Sequence, residues 1–227
     1  MNIVFFGSFQ HYSALILQSL IDAPDIEIIS VVTTPPRPVG RQQLVTKTPV
    51  HELATKHHLP VFTPSDLPSE FDASVIFNDQ SFAGNQAFPH PNSDIDMFVI
   101  VGYGKILPPS WLDYPKNGSL NLHFSLLPKS RGANPAEWAI MCGDTTTGIT
   151  LMKMNQGFDT GDILAQADLP ITPTDTRETL YQKLYELGTT LLPQWLLSID
   201  RWQPKLQSKV SPTPHAYLLK RQDGFLP

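Results

Sequence analysis

Residues 3–6, Ile-Val-Phe-Phe, form a short apolar run that stops at Gly7-Ser8, and a longer, β-branched run occupies residues 26–33. Between them Leu15, Leu17, Leu20 and Ile21 fall at helical spacing within residues 12–21. Strand, helix and strand within about thirty residues make a βαβ unit. The unit dictates parallel strands joined by a crossover helix, so the sheet must be covered on both faces. A strand buried on both faces reads as a continuous apolar run, as residues 26–33 do.

The same grammar continues along the chain. Residues 49–58 read as a helix with Pro49 at its start. Residues 59–62 read as a short strand and residues 97–101 as an apolar one. Residues 75–77 suggest a further strand, and residues 78–96, rich in Asn, Pro, Ser and Gly, an irregular insertion. Residues 106–112 follow the Gly102-Tyr103-Gly104 turn as a short helix. Residues 120–124 read as a strand and 134–142 as a helix. Residues 148–154 and 162–169 read as two strands joined by a glycine-rich turn. Asp175 suits an N-cap, with Glu178 closing a capping box, for a helix reaching about Leu197.

The expected fold class is α/β, with a doubly wound, mostly parallel sheet. In such sheets, sites form beyond the carboxyl ends of the strands, here the loops after Phe6, Val101 and Phe124. The 227 residues are 41% hydrophobic and 16% charged, which suits a globular chain with a real core. We expect one domain over residues 1–199. Residues 200–227 are polar and Pro-rich and read as a linker or tail, with no second domain.

The formal charge of −5 argues against a general nucleic-acid binder, so any RNA contact must be local. Residues 35–49 read as such a local feature: a loop with four prolines that carries Arg37, Arg41 and Lys47. The single cysteine, Cys142, permits no internal disulfide and fits a reducing compartment. No signal peptide or apolar span is visible, and a cytoplasmic protein is expected. No Cys/His spacing of the kind that binds metal occurs, so no metal is expected.

Two segments carry candidate chemistry. In Asn121-Leu122-His123, alternate residues of a strand share a face. The histidine takes a proton and the asparagine amide donates to a developing oxyanion, a combination suited to addition at a carbonyl. Equally, both residues are compatible with plain structural hydrogen bonding. In the segment from Asn155 to Asp162, two glycines and short polar residues shape a turn. Asp159 there suits either the orientation of a histidine or a cap on its own backbone.

Order and combination sharpen these readings. Asn121-x-His123, Ser125-Leu126-Leu127-Pro128, Arg131-Gly132-Ala133-x-Pro135, Gly148-Ile149-Thr150 and Gly157-Phe158-Asp159-Thr160-Gly161-Asp162 follow one another. This series resembles the folate-dependent formyltransferases. Arg37-Pro38-Val39-Gly40-Arg41, Gly102-Tyr103-Gly104-Lys105-Ile106-Leu107-Pro108 and Leu169-Pro170-Ile171 are similar to the branch that acts on methionyl-tRNA. The resemblance implies a Rossmann-like catalytic domain and 10-formyltetrahydrofolate as formyl donor. It implies the amino group of methionyl-initiator-tRNA as acceptor, with N-formylation of a nucleotide-linked amino sugar as the alternative.

It also implies a catalytic trio of Asn121, His123 and Asp159. The folate is expected between Gly102, Tyr103, Gly104, Lys105, Ile106 and Leu107 on one side and Asn155, Gly157, Phe158 and Asp162 on the other. Arg37, Arg41, Lys47, Ser125, Leu126, Leu127, Pro128 and Arg131 are expected on the acceptor side. The amino-sugar alternative favours an aromatic or acidic acceptor pocket, to which Tyr103, Trp111 or Trp138 would contribute.

Overall fold

The structure, a computed structural model, describes residues 1–72 and 94–219. The expected strand at 75–77, most of the insertion at 78–96, and residues 220–227 lie outside the described residues.

Seven strands form one sheet in the order β5-β2-β1-β6-β7-β8-β9. They are β1 (Asn2–Gly7), β2 (Glu27–Val32), β5 (Val61–Phe62), β6 (Met97–Val101), β7 (Ser119–His123), β8 (Thr146–Lys153) and β9 (Ile163–Pro170). β5, β2, β1, β6 and β7 run parallel, while β8 and β9 form an antiparallel hairpin at one edge. The chain order reverses between β1 and β6, which creates the crevice where doubly wound sheets place their sites.

Alternation along each buried strand supplies two cores. Ile3 and Phe5 of β1, with Met97, Val99 and Val101 of β6, face one way. Val4 and Phe6, with Phe98 and Ile100, face the other. The first face is covered by α1 (Tyr12–Ile21), α2 (Pro49–Lys56), α4 (Pro135–Met141) and α5 (Arg177–Leu197). The second packs on Tyr103, Leu107 and Trp111 around the short α3 (Pro109–Leu112).

The cap of α5 differs in detail from expectation. Thr176 is the N-cap, and it exchanges side-chain hydrogen bonds with Thr179 in a capping box. Asp175 instead accepts from the Thr172 amide at 2.8 Å and from Lys183 at 2.7 Å. The Lys183 ammonium competes for that carboxylate, so the neighbouring threonine takes over the cap.

Two further segments differ from their sequence reading. Residues 37–46, expected as loop, contain a hairpin of β3 (Arg37–Val39) and β4 (Leu44–Thr46), with every strand residue exposed. Neither face is buried, so no alternation betrays the strands. Residues 202–217, expected as part of a linker or tail, lie as an extended strap on the body. Lys205 exchanges backbone hydrogen bonds with Ile163 at 2.8 and 2.9 Å, and Ala216, fully buried, bridges to Gly132.

Candidate active site

β7 is central to the sheet and ends on His123, with Asn121 two residues before it. Asn121 is half-buried, and no hydrogen bond among the described residues engages its amide. His123 is buried, and its Nε2 lies 3.1 Å from the Ser130 carbonyl. A carbonyl oxygen only accepts, so Nε2 carries the hydrogen and Nδ1 is the nitrogen left to gain or lose a proton. The Asp159 carboxylate faces that nitrogen, with Oδ1 3.8 Å from Nδ1. Its other oxygen accepts the Gly132 amide at 2.8 Å. The structure thus brings His123 and Asp159 together from positions 36 residues apart, on a turn where Asp159 has φ of +50°.

The segment after β7 is built from inside. Ser125 is buried and its hydroxyl donates to the Lys129 carbonyl at 2.7 Å. Thr150, fully buried, donates to the Ser125 carbonyl at 2.6 Å and accepts the Leu127 amide at 3.1 Å. Gln166 on β9 donates to both Thr150 Oγ1 and the Leu127 carbonyl at 2.9 Å. Leu127 packs with Met152 and Ile163, and the Leu127–Pro128 peptide is cis. Leu126 and Pro128 are half-buried. Arg131, buried, spends its guanidinium on Gln207 Oε1 and the Ser208 carbonyl. The hydroxyl of Ser125 and the charge of Arg131 therefore act within the wall of the site.

The loops at the carboxyl ends of β1 and β6 meet through the Ser8 amide, which donates to the Gly102 carbonyl at 3.1 Å. Tyr103 and Leu107 point into the second core, and burial, reinforced by Asp66, pushes the Tyr103 phenol up to about 12. Lys105 donates to the Pro64 and Ser65 carbonyls, while Ile106 is exposed. Gly104 has φ of +78°, and the space where a Cβ would stand is open. That leaves backbone accessible there, which a side chain would cover. On the opposite arm, Asn155 Oδ1 accepts from the Gly157 amide and the Thr160 hydroxyl, both at 2.9 Å. Phe158 is exposed and Asp162 half-buried. An open cleft of about 430 Å³ lies between Leu112, Asp113 and residues 154–157. It reaches the Asn155–Gly157 arm but not residues 102–107.

Arg37, Arg41 and Lys47 are exposed on the β3–β4 hairpin and its edge. The hairpin leaves the carboxyl end of β2 beside Ser8, whose hydroxyl accepts the Thr34 amide at 3.0 Å. It therefore stands on the same edge of the sheet as the other loops. Of the aromatic side chains considered for an amino-sugar pocket, Tyr103 and Trp111 are buried in the second core. Trp138 donates to the Tyr217 carbonyl at 3.1 Å and packs edge-on against that ring.

The model of the Formyl transferase family matches residues 1–196. The chain belongs to that family.

Its similarity to methionyl-tRNA formyltransferases runs nearly the whole length. It is 41% identical to that of Ehrlichia chaffeensis over 209 residues, covering 92% of this chain and 64% of the relative. With that of Caldicellulosiruptor saccharolyticus it shares 42% over 226 residues, 99% of this chain and 67% of the relative. This member of the family thus spans roughly two thirds of the length of the curated relatives it matches. Among solved structures, phosphoribosylglycinamide formyltransferase of Bacillus halodurans superposes with a TM-score of 0.67 at 25% identity, over 88% of this chain and 95% of that one. A formyltransferase of Anoxybacillus kamchatkensis, solved with a formamido sugar nucleotide and tetrahydrofolate, shares the fold at a TM-score of 0.59 and 20% identity, over 95% of this chain and 86% of that one.

Among the described residues, no helix is long and apolar enough to cross a membrane, and no three His, Cys, Asp or Glu side chains are grouped to hold a metal ion.

The sequence reading missed Gln166 and Gln207. Neither has a local signal, because each acts across a gap of tens of residues.

Proposed function

We propose that the chain transfers the formyl group of 10-formyltetrahydrofolate to the amino group of methionyl-initiator-tRNA, the reaction named for its relatives. One observation carries the chemistry: Asn121, His123 and Asp159 gather at the carboxyl end of β7, with His123 Nδ1 facing a carboxylate at 3.8 Å. The acceptor rests on identity of about 40% to methionyl-tRNA formyltransferases over more than nine tenths of the chain. Such a reaction places the protein in the cytoplasm, at translation initiation.

The residues divide the work as follows. His123 Nδ1 takes the proton of the acceptor amine as its nitrogen bonds to the formyl carbon. The Asp159 carboxylate offsets the positive charge that arrives on the ring, while the Ser130 carbonyl, holding Nε2–H, fixes the ring's orientation. The Asn121 amide and the protonated ring donate to the formyl oxygen as it gains negative charge. The proton held at His123 is then available to the departing folate nitrogen. The formyl donor is a co-substrate, and we place its pterin near the open backbone at Gly104 and its reactive end towards Asn155–Asp162. We assign Arg37, Arg41 and Lys47 on the exposed hairpin to the phosphates of the acceptor, as point charges that position without reading sequence. Residues 125–131 form the wall between the two substrates.

The test is to incubate the protein with 10-formyltetrahydrofolate and charged initiator methionyl-tRNA and to follow formyl-methionine. Transfer that disappears in His123→Ala supports both chemistry and acceptor. Folate binding without transfer overturns the acceptor and directs the search to nucleotide-linked amino sugars.

A further inference from the structure

Among the strap residues that touch the wall of the site, Gln207 has its amide fully engaged. Its Oε1 accepts from Arg131 Nε at 3.2 Å and from Arg131 Nη2 at 2.8 Å. Its Nε2 donates to the Asp159 carbonyl at 3.0 Å and to the Gly161 carbonyl at 2.6 Å. An amide offers two acceptor sites and two donors, and all four are used.

The two segments joined in this way are the ones that surround His123. Residues 130–132 supply the carbonyl that receives His123 Nε2 and the Gly132 amide that binds Asp159 Oδ2. Residues 159–161 supply the carboxylate facing His123 Nδ1. Asp159 has a φ of +50°, in the left-handed region that aspartate tolerates better than most residues with a Cβ. The Gln207 bond to the Asp159 carbonyl holds the turn in that conformation.

We infer that Gln207 is a positioning residue for formyl transfer: it fastens the Asp159 turn to the 130–132 loop and so sets where the carboxylate stands relative to His123. This rests on the reading that His123 and Asp159 carry the transfer. Gln207 reaches neither ring nor carboxylate and acts through Arg131 and the backbone of Asp159 and Gly161.

Gln207→Glu separates the two halves of the amide. It keeps oxygen facing Arg131, and so keeps the strap anchored, but turns oxygen instead of N–H towards the two carbonyls. Formyl transfer from 10-formyltetrahydrofolate to methionyl-tRNA should fall about 10- to 100-fold in kcat, with KM for the donor changed less than about threefold. In the Asp159→Asn background the same substitution should cost less than about twofold, because the group it positions is already disabled. Gly132 amide exchange, which needs no acceptor, should quicken about tenfold in Gln207→Glu as its bond to Asp159 loosens.

Three results overturn the inference: wild-type kcat in Gln207→Glu while Asp159→Asn is slow, an equal loss in both backgrounds, or unchanged Gly132 exchange. Undiminished transfer by Asp159→Asn is a different failure. It removes the assignment of Asp159 itself, whatever Gln207 does to Gly132.

Discussion

Thr213 Oγ1 accepts the amide N–H of Ser130 at 2.6 Å, across 83 positions of sequence. The carbonyl of that same Ser130 receives His123 Nε2. One peptide unit on either side of Ser130 Cα thus ties the strap to the candidate catalytic histidine.

Thr213→Val keeps the shape and removes the acceptor. Ser130 is buried, so its N–H is left without a partner, at a cost of about 1–3 kcal/mol. Urea unfolding should show a midpoint shifted down accordingly. An unchanged midpoint would mean that the Thr213–Ser130 bond adds nothing to stability.

Asn121→Ala should lower kcat by about 10² to 10³, the usual loss for one donor to a developing oxyanion. Affinity for 10-formyltetrahydrofolate should stay within a few-fold, because a donor specific to the transition state contributes little to ground-state binding. Equilibrium titration of folate beside steady-state rates separates the two. A matching loss of affinity would make Asn121 a binding residue instead.

Tyr103→Phe should be nearly silent. The Tyr103 hydroxyl is buried with no hydrogen-bond partner among the described residues. Removing an unpaired buried hydroxyl should change stability by less than about 1 kcal/mol, with stabilisation the expected sign. The folate KM should also hold, since the residue meets the site through backbone while its ring packs on Phe6. A large rise in that KM would place the phenol in the folate pocket.

Asp175 makes stability depend on acid. The Lys183 ammonium, then the Thr172 amide, hold its carboxyl well below the usual carboxylate range. Between the unfolded value of about 3.9 and that depressed value, the unfolded chain binds more protons than the folded one. Stability from this group is therefore complete above about pH 5 and drains away as pH falls through the folded pKa. Asp175→Asn should be less stable than wild type at about pH 6, and the gap should narrow at about pH 3. Urea midpoints at the two pH values check it, and a gap independent of pH would contradict the ion-pair account.

The parts of the fold that read out of the sequence are those where burial imposes a period. β1, β2 and β6 are covered on both faces and appear as apolar runs, and α1 falls on the residues its spacing marks. The β3–β4 hairpin had no such imprint, because Val39, Leu44 and Val45 are half or more exposed. His123 and Asn121 were visible because a strand's alternation puts them on one face. Asp159 was visible as a shaped turn, but its nearness to His123 is a product of the β8–β9 hairpin folding back. Gln166, Gln207 and Thr213 were invisible for a related reason. Each is an ordinary polar residue whose meaning lies wholly in a partner far away in sequence. Ser125 and Arg131 show the converse, since polar residues inside a catalytic motif can be spent on the frame.

The strap also gives synthesis a direction. His123 emerges from the ribosome long before Gln207, Thr213 and Ala216 do, and domains fold from the N-terminus as they are made. A nascent chain therefore holds the histidine well before the latch. The contacts that fix the candidate site are complete only once residues 207–216 have followed it out.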